Sequence, residues 1–405
     1  MSHTASAGAI RRLNRSAILK IIRERQNISR IEIAKILHLN PSTVSRLVEE
    51  LIAMELVSES DGRNQSSSRG GRPSIPLRLN ARAGFLAGVD LGGTNMVGAL
   101  ADLSGRIMAR HSIPSRSPSG EGGDESLQRL ISLIQDLIQA CPDRAHIWGI
   151  GIGAPAVTLS SQGIVTWAPA LGWRNLPLRQ IVEARLGIPT FVENDVNLAA
   201  MGEHWCGAGQ GVDNLVAIFI GTGIGAGIMV NGELYRGASD AAGEVGYIVV
   251  DTDSLKHRYD RFGCLESLAS GTGIAARAQT RVQAGEETMI LTLANGDPQA
   301  ITAETVFSAA RKGDEVATEI VTETVEFLSL AVANVSCVLN PEVVIIGGGV
   351  AYSADMLLEG IRQRIEEVVP VVPRIVASAL GKDAVLMGAF AMVLQQISEV
   401  DWAVP

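Results

Sequence analysis

Leu215-Val216-Ala217-Ile218-Phe219-Ile220-Gly221-Thr222-Gly223-Ile224-Gly225-Ala226-Gly227-Ile228 is an apolar, β-branched run that breaks into alternating glycines and resumes as apolar chain. It reads as a buried strand, a tight turn and a second strand. Glycine at alternate positions admits positive φ and leaves backbone N–H groups uncovered, so an anion can rest on bare main chain. A second stretch repeats the device: Phe85-Leu86-Ala87-Gly88-Val89-Asp90 runs into Leu91-Gly92-Gly93-Thr94-Asn95. Two such turns predict two lobes facing one cleft. Either turn taken alone is equally a plain hairpin. Neither has Rossmann spacing, because Ala226 stands where that fingerprint needs glycine and the chain continues as strand rather than opening a helix, which argues against a dinucleotide.

The 405 residues are 46% hydrophobic, enough for two or three domains with sizeable cores. No uninterrupted apolar run nears the ~20 residues of a membrane span, and Met1–Arg15 has no apolar signal segment, so the expected compartment is the cytoplasm, with no membrane partner. The four cysteines, Cys141, Cys206, Cys264 and Cys337, are scattered as reduced thiols would be. Charge is uneven. Residues 1–80 hold 13 Lys and Arg against 7 Asp and Glu, and the remainder holds 21 against 36, within an overall charge of −9. A basic head on an acidic body directs only the head at a polyanion.

In the head, Leu13, Ala17, Ile18, Ile21 and Ile22 recur at helical spacing within Arg11–Gln26. Ser29 and Glu32 form a capping box for a second helix, Arg30–Leu37, and Pro41 opens a third that ends near Ala53. Ile31, Ile33, Ala34, Leu37, Leu39, Val44, Leu47, Val48 and Leu51 are the expected core. Arg30 and, on the third helix, Ser42, Thr43, Ser45 and Arg46 are left to meet phosphates and base edges. Two strands, 56–59 and 75–79, bracket a wing whose Arg69-Gly70-Gly71-Arg72-Pro73 suits a minor groove. The unit is a winged helix-turn-helix over residues 1–80, with wing and linker at 56–80. A small helical bundle for protein contacts, and a merely solvated arm, are the competing readings.

Beyond a composition change at 80–84, Met96–Asp102 continues as strand, Ser112–Gly123 reads as loop and Glu125–Ala140 as an amphipathic helix. His146–Gly153 and Pro189–Val192 read as strands, with a helix at Leu178–Leu186 between them. The second strand delivers Glu193-Asn194-Asp195 to its end, before a helix from Val196 to Cys206. A carboxylate there can take a proton from a substrate hydroxyl, and Asn or Asp there can equally cap the helix. Glu244, in Gly243-Glu244-Val245-Gly246-Tyr247, and Glu266, in Gly263-Cys264-Leu265-Glu266, are candidate acceptors for sugar hydroxyls. Phe327–Leu339 is an apolar helix, and Val343–Ile346 a buried strand leading to Gly347-Gly348-Gly349, able to cover an adenine or simply end the strand.

These motifs resemble the ROK family (repressor, open reading frame, kinase) across essentially the whole chain. The head resembles the repressor branch, that of the xylose and N-acetylglucosamine repressors; the kinases lack it. The resemblance implies a two-lobed α/β actin-like (ribonuclease H-like) sugar-kinase fold, with lobes of about 81–195 plus 385–405, and 196–384. It implies phosphate or nucleotide contacts from Asp90, Gly92, Gly93, Thr94, Gly221, Thr222, Gly223 and Gly348. It implies sugar contacts from Asn194, Asp195, Glu244, Tyr247 and Glu266, with Asp195 the catalytic base if phosphorylation occurs. Where the family has a zinc-binding histidine this chain has Tyr247. Its Cys-x-Cys-Gly-x-x-Gly-Cys segment is here His257 to Cys264, with Tyr259 at the second cysteine position. Two N/S ligands cannot close a tetrahedral site, so zinc is not expected, and packing of Tyr247 and Tyr259 is expected to replace it. Ala170 and Asn95, at positions often Asn and Lys, weaken a transfer of kinase activity.

The expected function is a sugar-responsive regulator, a repressor released from operator DNA by a sugar or sugar phosphate, acting as a homodimer or tetramer and needing no cofactor. The alternative is an ATP-dependent sugar kinase using Mg-ATP, with an accessory head. Regulation by a protein partner is a third reading.

Overall fold

In the computed structural model, residues 7–60, 75–115, 123–143, 146–155, 157–259 and 263–399 are described. The head holds α1 (Ala7–Glu24), β1 (Ile28–Ser29), α2 (Arg30–Ile36), α3 (Pro41–Ala53), β2 (Val57–Glu59) and β3 (Pro76–Leu79). Ser29 and Glu32 cap α2 reciprocally, as expected, and Asn40 caps α3 with Pro41 in its first turn. The strands form a sheet of order β1-β3-β2. Ile33, Val44, Leu47, Val48 and Leu51 are fully buried, but Ile31 is 59% exposed. Ile31 follows Arg30 in the first turn of α2, where the capping box aims that face at solvent.

The body repeats one topology twice. β4 (Phe85–Leu91), β5 (Asn95–Asp102), β6 (Ile107–Pro114), β7 (Ile147–Ala154) and, after short strands β8 (Thr158–Leu159), β9 (Ile164–Ala168) and β10 (Trp173–Leu176), β11 (Thr190–Asn194) build the first lobe. Its main sheet has order β11-β7-β4-β5-β6. β12 (Leu215–Ile220), β13 (Ile224–Val230), β14 (Glu233–Leu234), β15 (Val343–Gly347) and β16 (Arg374–Ala377) make the second, of order β14-β13-β12-β15-β16. In each, three antiparallel strands precede two parallel ones. The two glycine turns occupy equivalent places, between the first and second strands of each sheet. The segment expected as loop from Ser112 therefore begins as the end of β6.

The helices are α4 (Gly123–Ala140), α5 (Leu178–Leu186), α6 (Asp195–Cys206), α7 (Cys264–Ala269), α8 (Gly271–Gln283), α9 (Met289–Leu293), α10 (Ala303–Arg311), α11 (Glu315–Leu339), α12 (Ala354–Glu366) and α13 (Ala384–Glu399). α11 starts well before Phe327, because Asp314 caps it and Val316, Ala317 and Ile320 are already buried. By length and composition α11 could cross a membrane, yet it is the central helix of the second lobe's core, on which Val306, Phe307 and Ile346 also converge.

α13 packs on β4 and β7 of the first sheet, α6 on β12 and β13 of the second, and the two helices pack on each other. Their crossing is backbone on backbone: a Cβ on Gly388 would lie 1.7 Å from the Leu198 carbonyl oxygen, and one on Gly202 2.3 Å from that of Ala384. Only glycine allows this approach.

Candidate functional site

The turn after β4, the end of β11 and the segment after β14 converge on a cleft of carboxylates. Burial pushes Asp195 up to about 7, and the Asp90 carboxylate adds to the shift. Burial pushes Asp90 itself up to about 6. Glu244 is raised by burial and by Glu266, and Glu266 is raised by burial despite the Gly263 N–H that it accepts at 3.2 Å. Four acidic groups thus crowd one site, with the charge of Arg110 opposing the shift at Asp90. Such a site favours a ligand that donates many hydrogen bonds, as a polyol does.

The β11 end is fixed by Glu193, 1% exposed. Its carboxylate accepts from Ser160 Oγ at 2.8 Å, Asn197 Nδ2 at 3.1 Å, the Asn194 N–H at 2.9 Å and Arg236 Nε at 2.7 Å. Asn194 is the cap of α6, with Oδ1 accepting from Asn197 N–H, and Asp195 is the first helical residue, with Oδ1 accepting from Val196 N–H. Capping thus falls to Asn194, which leaves Asp195 in the cleft. Glu193 enters the sequence reading only as part of the Glu193-Asn194-Asp195 motif, and Ser160, Asn197 and Arg236 do not enter it as site residues. The carboxylate beside Asn194 was the available signal; Arg236 had none, because it arrives from the other lobe.

The first glycine turn is pinned by Ser115, whose Oγ donates to the Gly92 carbonyl and whose N–H donates to the Thr94 carbonyl at 2.8 Å. Gly93 and Thr94 are exposed, and a Cβ on Gly93 would lie 3.1 Å from the Ala170 methyl. In the second turn the Gly221 N–H already donates to the Gly223 carbonyl at 2.9 Å, so that amide closes the turn instead of facing an anion. The Thr222 carbonyl accepts from Thr272 Oγ1. Gly223 is glycine for another reason: a Cβ there would meet Glu266 Oε1 at 2.0 Å. Gly348 has φ +85 and lies against the backbone of Ile220, where it ends β15.

The residues at the degenerate zinc segment do not fit zinc. Tyr247 offers a phenol and is 53% exposed, so it is not packed as expected, and His257 is exposed. Only Tyr259 engages Cys264, through a side-chain hydrogen bond that raises its phenol. Among the described residues no three His, Cys, Asp or Glu side chains are grouped to hold a metal ion.

On the head, Ser42 is exposed and donates to Asn40 Oδ1, while Thr43 and Ser45 are half-buried on the same helix. Arg46 is exposed and pairs with Glu50 at 3.1 Å; Glu50 also takes Arg11 of α1 at 2.6 Å. Arg30 is not free, because it pairs with Glu59 of β2 at 2.6 Å and so ties α2 to the wing. Arg69 and Arg72 lie outside the described residues.

The ROK family model matches residues 86–396, and the MarR family model matches residues 13–64. The chain is 32% identical over 393 residues to the xylose repressor of Caldicellulosiruptor bescii, covering 96% of this chain and 97% of that one. It superimposes with a TM-score of 0.83 and 31% identity on a ROK family transcriptional regulator described as a homologue of the E. coli MLC protein, over 96% of this chain and 97% of that one. A ROK family glucokinase from Streptomyces griseus, solved with glucose and AMPPNP, matches 77% of this chain and all of its own length, with a TM-score of 0.68 and 31% identity. The chain belongs to the ROK family, with a MarR-type winged helix ahead of the actin-like sugar-kinase fold.

Proposed function

We propose that this protein is a sugar-responsive transcriptional repressor: the head holds operator DNA, and a sugar or sugar derivative in the acidic cleft releases it. The observation that carries this reading is the junction of the two units. Ile18, Ile22, Val44 and Leu77 of the head belong to one apolar cluster with Leu86, Leu386, Phe390 and Val393 of the body. A head sharing its core with the body cannot ignore the body's conformation. Asn194, Asp195, Glu244 and Glu266 are the proposed sugar contacts, with Tyr247 at the rim; Ser42, Thr43, Ser45, Arg46, Arg69 and Arg72 are the proposed DNA contacts. The full-length relative named a xylose repressor supports the assignment. The proposed assembly is a homodimer in the cytoplasm, placing two heads on half-sites about one helical turn apart.

A second reading, ATP-dependent sugar phosphorylation, is supported by one observation: burial pushes the Asp195 carboxyl up to about 7, in the range that suits a proton acceptor near neutral pH. Mg-ATP would then meet Asp90, Gly92, Gly93, Thr94 and the Gly221–Gly223 turn, with Gly348 towards the base. The two readings separate in one preparation. Full-length protein is tested for binding to DNA from its own upstream region, and for ADP release with D-xylose and D-glucose. Specific binding without ADP release supports the repressor; ADP release without specific binding overturns it.

A further inference from the structure

We propose that the groove between α1 of the head and the body is a second ligand site, separate from the acidic cleft, and that it takes an amphipathic organic anion. The proposal does not rest on the sugar-responsive reading. The groove holds about 730 Å³, within the range of small-molecule sites, and lies where two units meet, as such sites commonly do.

Its cationic end comes from α1. Lys20 and Arg23, three residues apart, share one face of that helix, and both border the groove. Among the described residues Arg23 makes no ion pair, and its Nε is buried without a hydrogen-bond partner. What it meets instead is the Trp205 ring, whose centroid is 5.1 Å from the guanidinium. The ring replaces part of the lost water but brings no charge, whereas a buried cation is normally paired. Glu24, beside it in sequence, is exposed and does not bond to it. Lys20 is exposed and likewise makes no ion pair among the described residues. An anion entering the groove therefore finds two uncommitted cations.

The remaining walls say what else that anion carries. Leu19, Trp148, Met201 and Leu394 give the groove an apolar lining, and Asp213 and Glu233 at the far side offer acceptors. An apolar body with an anionic group at one end and an N–H or O–H donor at the other matches all three features. A bare inorganic anion leaves the apolar lining wet, and a neutral sugar leaves the two cations unpaired.

The groove is preformed. Ile18 and Ile22 of α1 share one apolar cluster with Leu386, Phe390 and Val393 of α13, which fixes the head side. On the body side, a Cβ on Gly105 would lie 2.6 Å from the Trp205 ring, so that ring is seated against the turn. Glu203, fully buried, accepts from Ser378 Oγ at 2.5 Å, the Leu380 N–H at 2.9 Å and the Ala208 N–H at 2.7 Å, which anchors the end of α6.

The test titrates the full-length protein with two fluorescent probes. Anilinonaphthalene sulfonate has flat rings, an N–H donor and a sulfonate; phenylnaphthylamine is the same molecule without the sulfonate. The parent is expected to hold the sulfonate probe at one saturable site with Kd below about 1 mM. Arg23→Gln should weaken it by about 10-fold and Lys20→Gln, at an exposed position, by about 3-fold, while Arg23→Lys stays within about 3-fold of the parent. Phenylnaphthylamine should bind the parent and Arg23→Gln within about 2-fold of each other, and Asp195→Asn should leave both probes unaffected. The proposal is overturned by a parent with no saturable sulfonate site, by sulfonate binding unchanged in both Arg23→Gln and Lys20→Gln, or by an equal loss of the neutral probe. Loss in Asp195→Asn also overturns it, because the probe then sits in the cleft. None of these outcomes touches the sugar-responsive reading.

Discussion

Arg236 of the second lobe donates Nε to the buried carboxylate of Glu193 in the first, at 2.7 Å. The pair closes the cleft wall beside Asn194 and Asp195, and the guanidinium is one-third exposed while the carboxylate is 1% exposed. Arg236→Ala leaves that carboxylate with neutral donors alone. Removing one partner of a fully buried pair costs roughly 3–5 kcal/mol. Solvent reaches Arg236 and three other donors remain, so the expected loss is about 1–2 kcal/mol, read by urea denaturation, together with weaker sugar binding in calorimetry.

Sugar binding is expected to depend on pH through Asp195. A carboxyl accepts a sugar hydroxyl more strongly when ionised, and burial pushes this one up to about 7. Affinity should therefore rise from pH 6 to pH 8 by up to about 10-fold, and Asp195→Asn should flatten the dependence. A flat profile in the parent removes Asp195 from the sugar contacts.

The same group sets a stability trend of known sign. Its folded value lies above the unfolded one, near 4, so the folded state holds the proton more tightly. Stability contributed here is full below about pH 4 and is lost as pH rises to about 7. Asp195→Asn is thus expected to melt higher than the parent at pH 8 and to show no gain at pH 4, by differential scanning calorimetry at both pH values.

Gly388→Ala tests the helix crossing. With its Cβ 1.7 Å from the Leu198 carbonyl oxygen, α6 and α13 must part. Over-packing of this kind costs about 1–3 kcal/mol or more, so a fall in melting temperature is expected, with Gly349→Ala, where a Cβ meets nothing within 4 Å and φ is not positive, as a milder comparison.

Arg46→Ala tests the DNA face. Arg46 is exposed at the end of an ion-pair network with Glu50 and Arg11. If it neutralises a phosphate, the slope of log affinity against log salt should shrink by about 1, with uniform weakening across sequences. Loss confined to one base position would make it a base-edge contact instead.

Local chemistry made much of this legible. Ser29 with Glu32, and Asn40 before Pro41, announce helix starts because capping is decided within four residues. The glycine turns and the strand before Glu193 were readable for the same reason. What was not legible depends on partners far apart in sequence. Arg236 on Glu193, Glu203 on Ser378, and Arg23 on Trp205 join residues that only the two lobes and the head bring together. The duplicated sheet order was likewise hidden, since topology can repeat where residues do not. Ile31, apolar yet exposed, shows the limit of pattern on a seven-residue helix.

The most direct measurement is fluorescence anisotropy of the full-length protein on DNA from its own upstream region, titrated with D-xylose, D-glucose and their phosphates, with and without Mg-ATP. The account predicts that one sugar releases the DNA without ATP, by roughly 5–150-fold in affinity. Specific DNA binding that no sugar alters, or release that occurs only with Mg-ATP, would contradict it.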